Sequence, residues 1–132
     1  MIKAAGGGSI INISSVAGRL GYAYRTPYSS AKWGIIGLTQ SLAKELGPSN
    51  ISVNAVLPGV VEGPRIERVI SARAEQVGVS YEEMKQHYVQ QSSMRRMVQQ
   101  EDIGAMVLFL VSPAGANVSG QSISVCANVE NI

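Results

Sequence analysis

Apolar residues in this chain alternate between two patterns, short continuous runs and longer segments with helical spacing. Residues 9–15, SIINISS, are a run with β-branched side chains at Ile10, Ile11 and Ile13, preceded by Gly6, Gly7 and Gly8. Such a run predicts a strand buried on both faces, as in a parallel sheet. From Pro27 to Leu46 the spacing changes. Trp33, Ile36, Leu38, Leu42 and Leu46 recur mostly at three- and four-residue intervals, which predicts a helix stopped by Gly47-Pro48. ISVNAVLPG, 51–59, reads as a second strand closing in a Pro-Gly turn. Residues 62–100, rich in Glu, Arg, Gln and Ser, are the least patterned, with at least one helical piece expected, at about 81–91. Glu101 to Val111 predicts a helix whose acidic first turn suits the macrodipole, and Ser112-Pro113 ends it. SGQSISVC supplies a third strand, Ile123 and Val125 alternating with serines. Strands separated by helices in this order predict an α/β fold with a parallel sheet and crossover helices.

Composition narrows the class. At 132 residues the chain is one domain at most, with 45% hydrophobic and 15% charged residues. A net charge of +2, spread evenly, argues against nucleic acid or an anionic membrane as partner. Cys126 is the single cysteine, which excludes an internal disulfide and fits a reducing compartment. With His87 the only histidine, no zinc cluster of soft ligands can be assembled. Gly, Ser, Asn or Lys interrupts every apolar run too early for a membrane span, and MIKAAGGGS has no apolar signal core. The expected setting is cytoplasmic.

The candidate chemistry lies in TPYSSAKWG, residues 26–34. Tyr28 and Lys32 stand one helical turn apart, so their side chains rise from one face. An ammonium about 4 Å from a phenol, at an effective dielectric near 20, favours the phenolate by roughly 4 kcal/mol. Such a pair can handle protons, although most Tyr–Lys neighbours at this spacing are ordinary surface. Ser14 and Ser15 end the first strand, where catalytic groups gather in parallel α/β sheets. A serine pair there is also a common turn or helix cap.

Taken together, GSIINISSVAG, YSSAK, ISVNAVLPGVVEGPR and GQSISV resemble the C-terminal half of the short-chain dehydrogenase/reductase family. The resemblance covers nearly the whole chain. It implies half of a doubly wound Rossmann-type sheet, the N-terminal dinucleotide-binding half being absent. It also implies hydride transfer between an alcohol and a carbonyl with NAD or NADP, on 3-oxoacyl or similar substrates. On this resemblance Ser15 is the catalytic serine, with Ser14 the near alternative; Tyr28 is the acid–base and Lys32 its partner. Lys32 would also grip the nicotinamide ribose. Pro58, Gly59, Val60 and Val61 correspond to the turn against the nicotinamide, with Val61 contacting the carboxamide through its backbone. Asn54 corresponds to a structural asparagine, and a homo-oligomer is expected for a full-length form.

Departures qualify these expectations. The glycine-rich phosphate turn has no counterpart, because GGGS at 6–9 precedes a strand instead of following one, so a fragment is expected. Gly63 stands where the family usually carries a carboxamide-touching threonine. Val125-Cys126-Ala127-Asn128 replaces the frequent Val-Asp-Gly-Gly. Tyr22, Tyr24 and the stretch 63–97 are expected either to shape a substrate pocket or to form exposed loop. His87 and Cys126 read as structural. Two other readings are a non-catalytic remnant that cannot bind a dinucleotide, and a hydrolase using Ser15. The second is weakened by the lack of GxSxG.

Overall fold

The computed structural model describes residues 6–129; the reading of residues 1–5 as lacking a signal core lies outside them. Three parallel strands form the sheet, β1 (Gly8–Ile13), β2 (Ile51–Pro58) and β3 (Ser122–Val125), in the order β1-β2-β3. Helix α1 (Thr26–Leu46) connects the first two strands. Helices α2 (Pro64–Val77), α3 (Tyr81–Gln90) and α4 (Gln100–Val111) lie between β2 and β3. The α/β class with a parallel sheet is as the sequence pattern predicts.

β2 is the spine. Val53, Asn54, Ala55, Val56 and Leu57 are all fully buried. Odd and even positions point to opposite faces, so both faces are covered. Helix α1 packs on β1 and β2, and α4 reaches all three strands. The register runs Gly8↔Ile51 to Ile13↔Val56, then Ala55↔Ser122 to Pro58↔Val125. This brings the C-terminal ends of β1, β2 and β3 to one rim.

Two differences from the sequence reading matter. β1 ends at Ile13, not at residue 15, because Ser14 and Ser15 leave the strand for a 3₁₀ turn at Val16–Gly18. The weakly patterned stretch holds a second helix, α2, besides the piece expected at about 81–91. α2 hides its apolar side in small packing, Ile70 and Ala74 being buried against Met84 of α3 and Met97. Its sequence, PRIERVISARAEQV, is otherwise polar. Helix α4 starts with a reciprocal cap between Gln99 and Asp102. This explains why acidic residues crowd its first turn.

Among the described residues β1 is an edge strand, half-exposed along most of its length. Ile13 of β1, Trp33 and Leu38 of α1, and Leu108, Phe109 and Val111 of α4 are exposed. Unpaired strand edges with apolar neighbours associate. The 132-residue chain is therefore expected to oligomerise in light scattering, and a clean monomer would count against this.

After β3 the backbone turns left-handed at Ala127 (φ 51) and Asn128 (φ 61). Asn128 tolerates this conformation, whereas Ala127 holds it at an energetic cost. Ala127→Gly is expected to stabilise the chain by about 1 kcal/mol, read as a higher urea midpoint.

Candidate active site

The site forms where β1 and β2 end. Ser14, 3% exposed, turns inward, and its Oγ donates to the Lys32 carbonyl at 2.8 Å. Ser15 is extended (φ −171, ψ 162), and its Oγ accepts from the Ala17 amide at 3.2 Å. Ser15 is thus the cap of the 3₁₀ turn, as a serine at a strand end commonly is. Capping uses an acceptor position only, so the hydroxyl proton can still be donated. Ser14's hydroxyl is committed to backbone, which separates the two serines.

Gly18 completes this corner. A Cβ there would stand 2.8 Å from Ser14 Oγ and 2.9 Å from the Lys32 carbonyl oxygen, distances real side chains do not tolerate. The turn bearing Ser15 therefore lies directly on the first turns of α1. Lys32 ties the same corner from the other side, its Nζ donating to the Ile13 carbonyl at 3.1 Å.

Tyr28 is the third residue of α1, which Pro27 helps to open. The Lys32 ammonium lies 5.7 Å from the centre of the Tyr28 ring, and the Arg25 guanidinium 5.0 Å. Tyr22 is half-buried beside them. Burial pushes its phenol above the ordinary value, and the Arg25 charge acts in the opposite direction.

The floor is the turn after β2. The Gly59 amide donates to the Val125 carbonyl at 3.0 Å. A Cβ on Gly59 would meet Cys126 Cα at 2.7 Å, so the turn needs glycine for close approach to β3. Val61 pairs with Val98 as a parallel bridge, through Val98 N to Val60 O at 2.9 Å and Glu62 N to Val98 O at 2.8 Å. That pattern turns the N–H and C=O of Val61 away from Val98. A ligand amide could use them.

One cavity of about 470 Å³ gathers these parts. Ser15, Tyr28, Lys32 and Pro58 through Val61 all line it, as do Ser14 and Tyr22. Tyr24 lies outside, fully exposed on the neighbouring open groove, which His87 also lines. Cys126 is buried and outside the cavity. Sequence reading missed Arg25 and Glu62 as lining residues. The only available signal for Arg25 was its place three residues before Tyr28. Among the described residues no cluster of His, Cys, Asp or Glu could hold a metal ion. Among the described residues no helix is long and apolar enough to cross a membrane.

The family model described as enoyl-(acyl carrier protein) reductase matches residues 1–127. The chain belongs to the short-chain dehydrogenase/reductase family. It is 41% identical over 118 residues to the 3-oxoacyl-[acyl-carrier-protein] reductase of Aquifex aeolicus, covering 89% of this chain and 43% of that protein. Actinorhodin polyketide ketoreductase, solved with NADPH, superposes with a TM-score of 0.90 at 36% identity, over 98% of this chain and 49% of the other. Carveol dehydrogenase from Mycobacterium avium, solved with NAD, gives 0.88 at 34%, over 96% of this chain and 48% of the other. The chain spans about half the length of the relatives it matches. Its sheet is the corresponding half of a short-chain dehydrogenase fold.

Proposed function

We propose that this chain supplies the catalytic and substrate-binding half of an NAD- or NADP-dependent oxidoreductase that interconverts an alcohol and a carbonyl compound. The reading is supported by one observation above others, that Ser15, Tyr28, Lys32 and the turn 58–61 share one cavity. Tyr28 passes a proton to the substrate oxygen during reduction and takes one during oxidation. Ser15 donates a hydrogen bond to the same oxygen and fixes its direction.

A nicotinamide fits the residues present. The Lys32 ammonium spends one N–H on Ile13, leaving two for ribose hydroxyls. The amide and carbonyl of Val61 are turned from Val98 and suit a carboxamide. When bound, the nicotinamide supplies or accepts the hydride. A carbonyl of the 3-oxoacyl kind is the first substrate to try, and the buried free thiol of Cys126 fits a reducing, cytoplasmic setting.

The test uses a chain carrying the upstream half of the fold, its own or grafted from a relative. Turnover of a 3-oxoacyl thioester with NADH or NADPH is expected. Ser15→Ala should slow turnover by about 10- to 100-fold, from loss of one oxyanion-type donor. Ser14→Ala should slow it far less and instead lower the unfolding free energy by about 1 kcal/mol, read as a lower urea midpoint, since its hydroxyl serves the Lys32 carbonyl. The reverse ranking would assign the catalytic role to Ser14. No turnover on any carbonyl or alcohol would leave a sheet-bearing, non-catalytic remnant.

A further inference from the structure

Positive side chains outnumber negative ones in the cavity. Arg25, Lys32 and Arg65 line it, against one carboxylate, Glu62. Glu62 accepts a hydrogen bond from Gln99 Nε2 at 2.5 Å. Lys32 is held by the Ile13 carbonyl at 3.1 Å. Arg25 is different. Its contact is with the Tyr28 ring, guanidinium to ring centre 5.0 Å, and no ion pair engages it among the described residues. Stacking of this kind leaves the edge of the guanidinium, with its forked donors, open to a ligand. A concave site with one dominant charge sign also concentrates its field on ligands of the opposite sign.

Position adds the second argument. Arg25 immediately precedes α1 and rests on the ring whose hydroxyl would meet the reacting oxygen. A molecule with its carbonyl at Tyr28 therefore passes within reach of Arg25. The apolar part of the wall, Ile66, Val69 and Tyr88, comes from α2 and α3 and would cover the remaining carbon skeleton.

We propose that the substrate is an anionic carbonyl or alcohol compound, bearing a carboxylate or a phosphate a few bonds from the reacting carbon, and that Arg25 is the residue that reads this anion. The inference rests on the oxidoreductase reading and narrows its substrate class to oxo acids and phosphorylated ketones; 3-oxoacyl thioesters, their uncharged relatives, should turn over more slowly. Arg25 forms a two-point, charge-assisted contact with the anion, which sets the orientation of the carbonyl toward Tyr28 and Ser15.

The experiment uses the chain completed with an upstream half and two matched pairs of substrates. One pair is an oxo acid and its methyl ester; the other is a phosphorylated ketose and the free ketose. The parent should favour the anionic member of at least one pair by 10-fold or more in kcat/KM. The pair showing the preference tells carboxylate from phosphate. Arg25→Gln should lower that anionic-to-neutral ratio about 10- to 100-fold, mainly through KM for the anion. Arg25→Lys should keep part of it, since charge survives and the fork does not.

Equal use of both members of both pairs by the parent would overturn the anion assignment while leaving the oxidoreductase reading intact. Arg25→Gln lowering both members equally would mark a structural role and also overturn it. An effect confined to KM for NAD(P)H would assign Arg25 to a cofactor phosphate, again against the proposal. Failure of the parent on all four compounds and on neutral ketones would sink the parent reading together with this one.

Discussion

Tyr28→Phe, in a chain carrying both halves of the fold, is expected to lose about 10²- to 10⁴-fold in kcat, the contribution of a positioned proton donor. The substitution removes only the phenolic oxygen. The ring remains, and with it the surface on which Arg25 and Lys32 rest at 5.0 and 5.7 Å from its centre. Substrate and cofactor KM should therefore change little, which separates a chemical defect from a packing defect. Lys32→Ala should also cut turnover, but with weaker cofactor binding. It also loses the 3.1 Å bond to the Ile13 carbonyl and so loosens the corner that carries Ser15. Steady-state kinetics on the three proteins decides the matter. Equal kcat for Tyr28→Phe and its parent would reduce the Tyr28–Lys32 pair to neighbours on a helix face, and the functional reading would fall with it.

The parts of this site that were legible in the sequence are those set by short-range spacing. A Tyr–Lys pair one turn apart needs only a helix to share a face, and the apolar spacing from Trp33 to Leu46 supplied that helix. β2 was legible because an uninterrupted apolar run ending in Pro-Gly has few alternatives to a covered strand. What stayed hidden depends on contacts distant in sequence. Nothing local to Gly18 says that it lies 2.9 Å, measured from an added Cβ, from the carbonyl of Lys32. Nor does Glu62 announce its bond to Gln99.

Helix α2 escaped notice for a related reason. Its fully buried side chains, Ile70 and Ala74, meet a small satellite core with Met84 and Met97 and not the sheet. A helix docked on so little needs only a thin apolar stripe, and polar residues dominate its sequence. The end of β1 was misplaced by two residues because Ser14 and Ser15 are compatible with either a strand or a cap. The Lys32 carbonyl, which takes the Ser14 hydroxyl, decides between them. That same contact commits the Ser14 hydroxyl proton, whereas Ser15 Oγ only accepts, from the Ala17 amide.

The second large effect is expected at Asn54, far from the chemistry in role though not in consequence. Its side chain is fully buried; Nδ2 donates to the Val118 carbonyl at 2.7 Å, and Oδ1 accepts from the Gln121 amide at 3.0 Å. Both partners lie in the turn that starts β3, and that turn is pinned further by Gly120 N to Val53 O at 2.7 Å. Asn54→Asp keeps the shape and the acceptor but sets a carboxylate oxygen against the Val118 carbonyl. A buried charge with one partner removed costs about 3 to 5 kcal/mol. Protonation repairs the contact, because the neutral acid can donate to Val118 while accepting from Gln121. Burial would hold the folded-state pKa of that aspartate above its unfolded value of about 3.9. The sign follows: the variant should approach its parent in stability below about pH 4 and fall behind as pH rises toward the folded-state pKa. Urea midpoints of the two proteins across that range test it, and a penalty independent of pH would refute the charge argument. Asn54→Leu should be destabilised at every pH, since it leaves both backbone groups unpaired. The loss reaches the site through β3, whose Val125 carbonyl holds the Gly59 amide at 3.0 Å. A turn that no longer fixes β3 no longer fixes the floor of the cavity that Tyr28 and Ser15 also line.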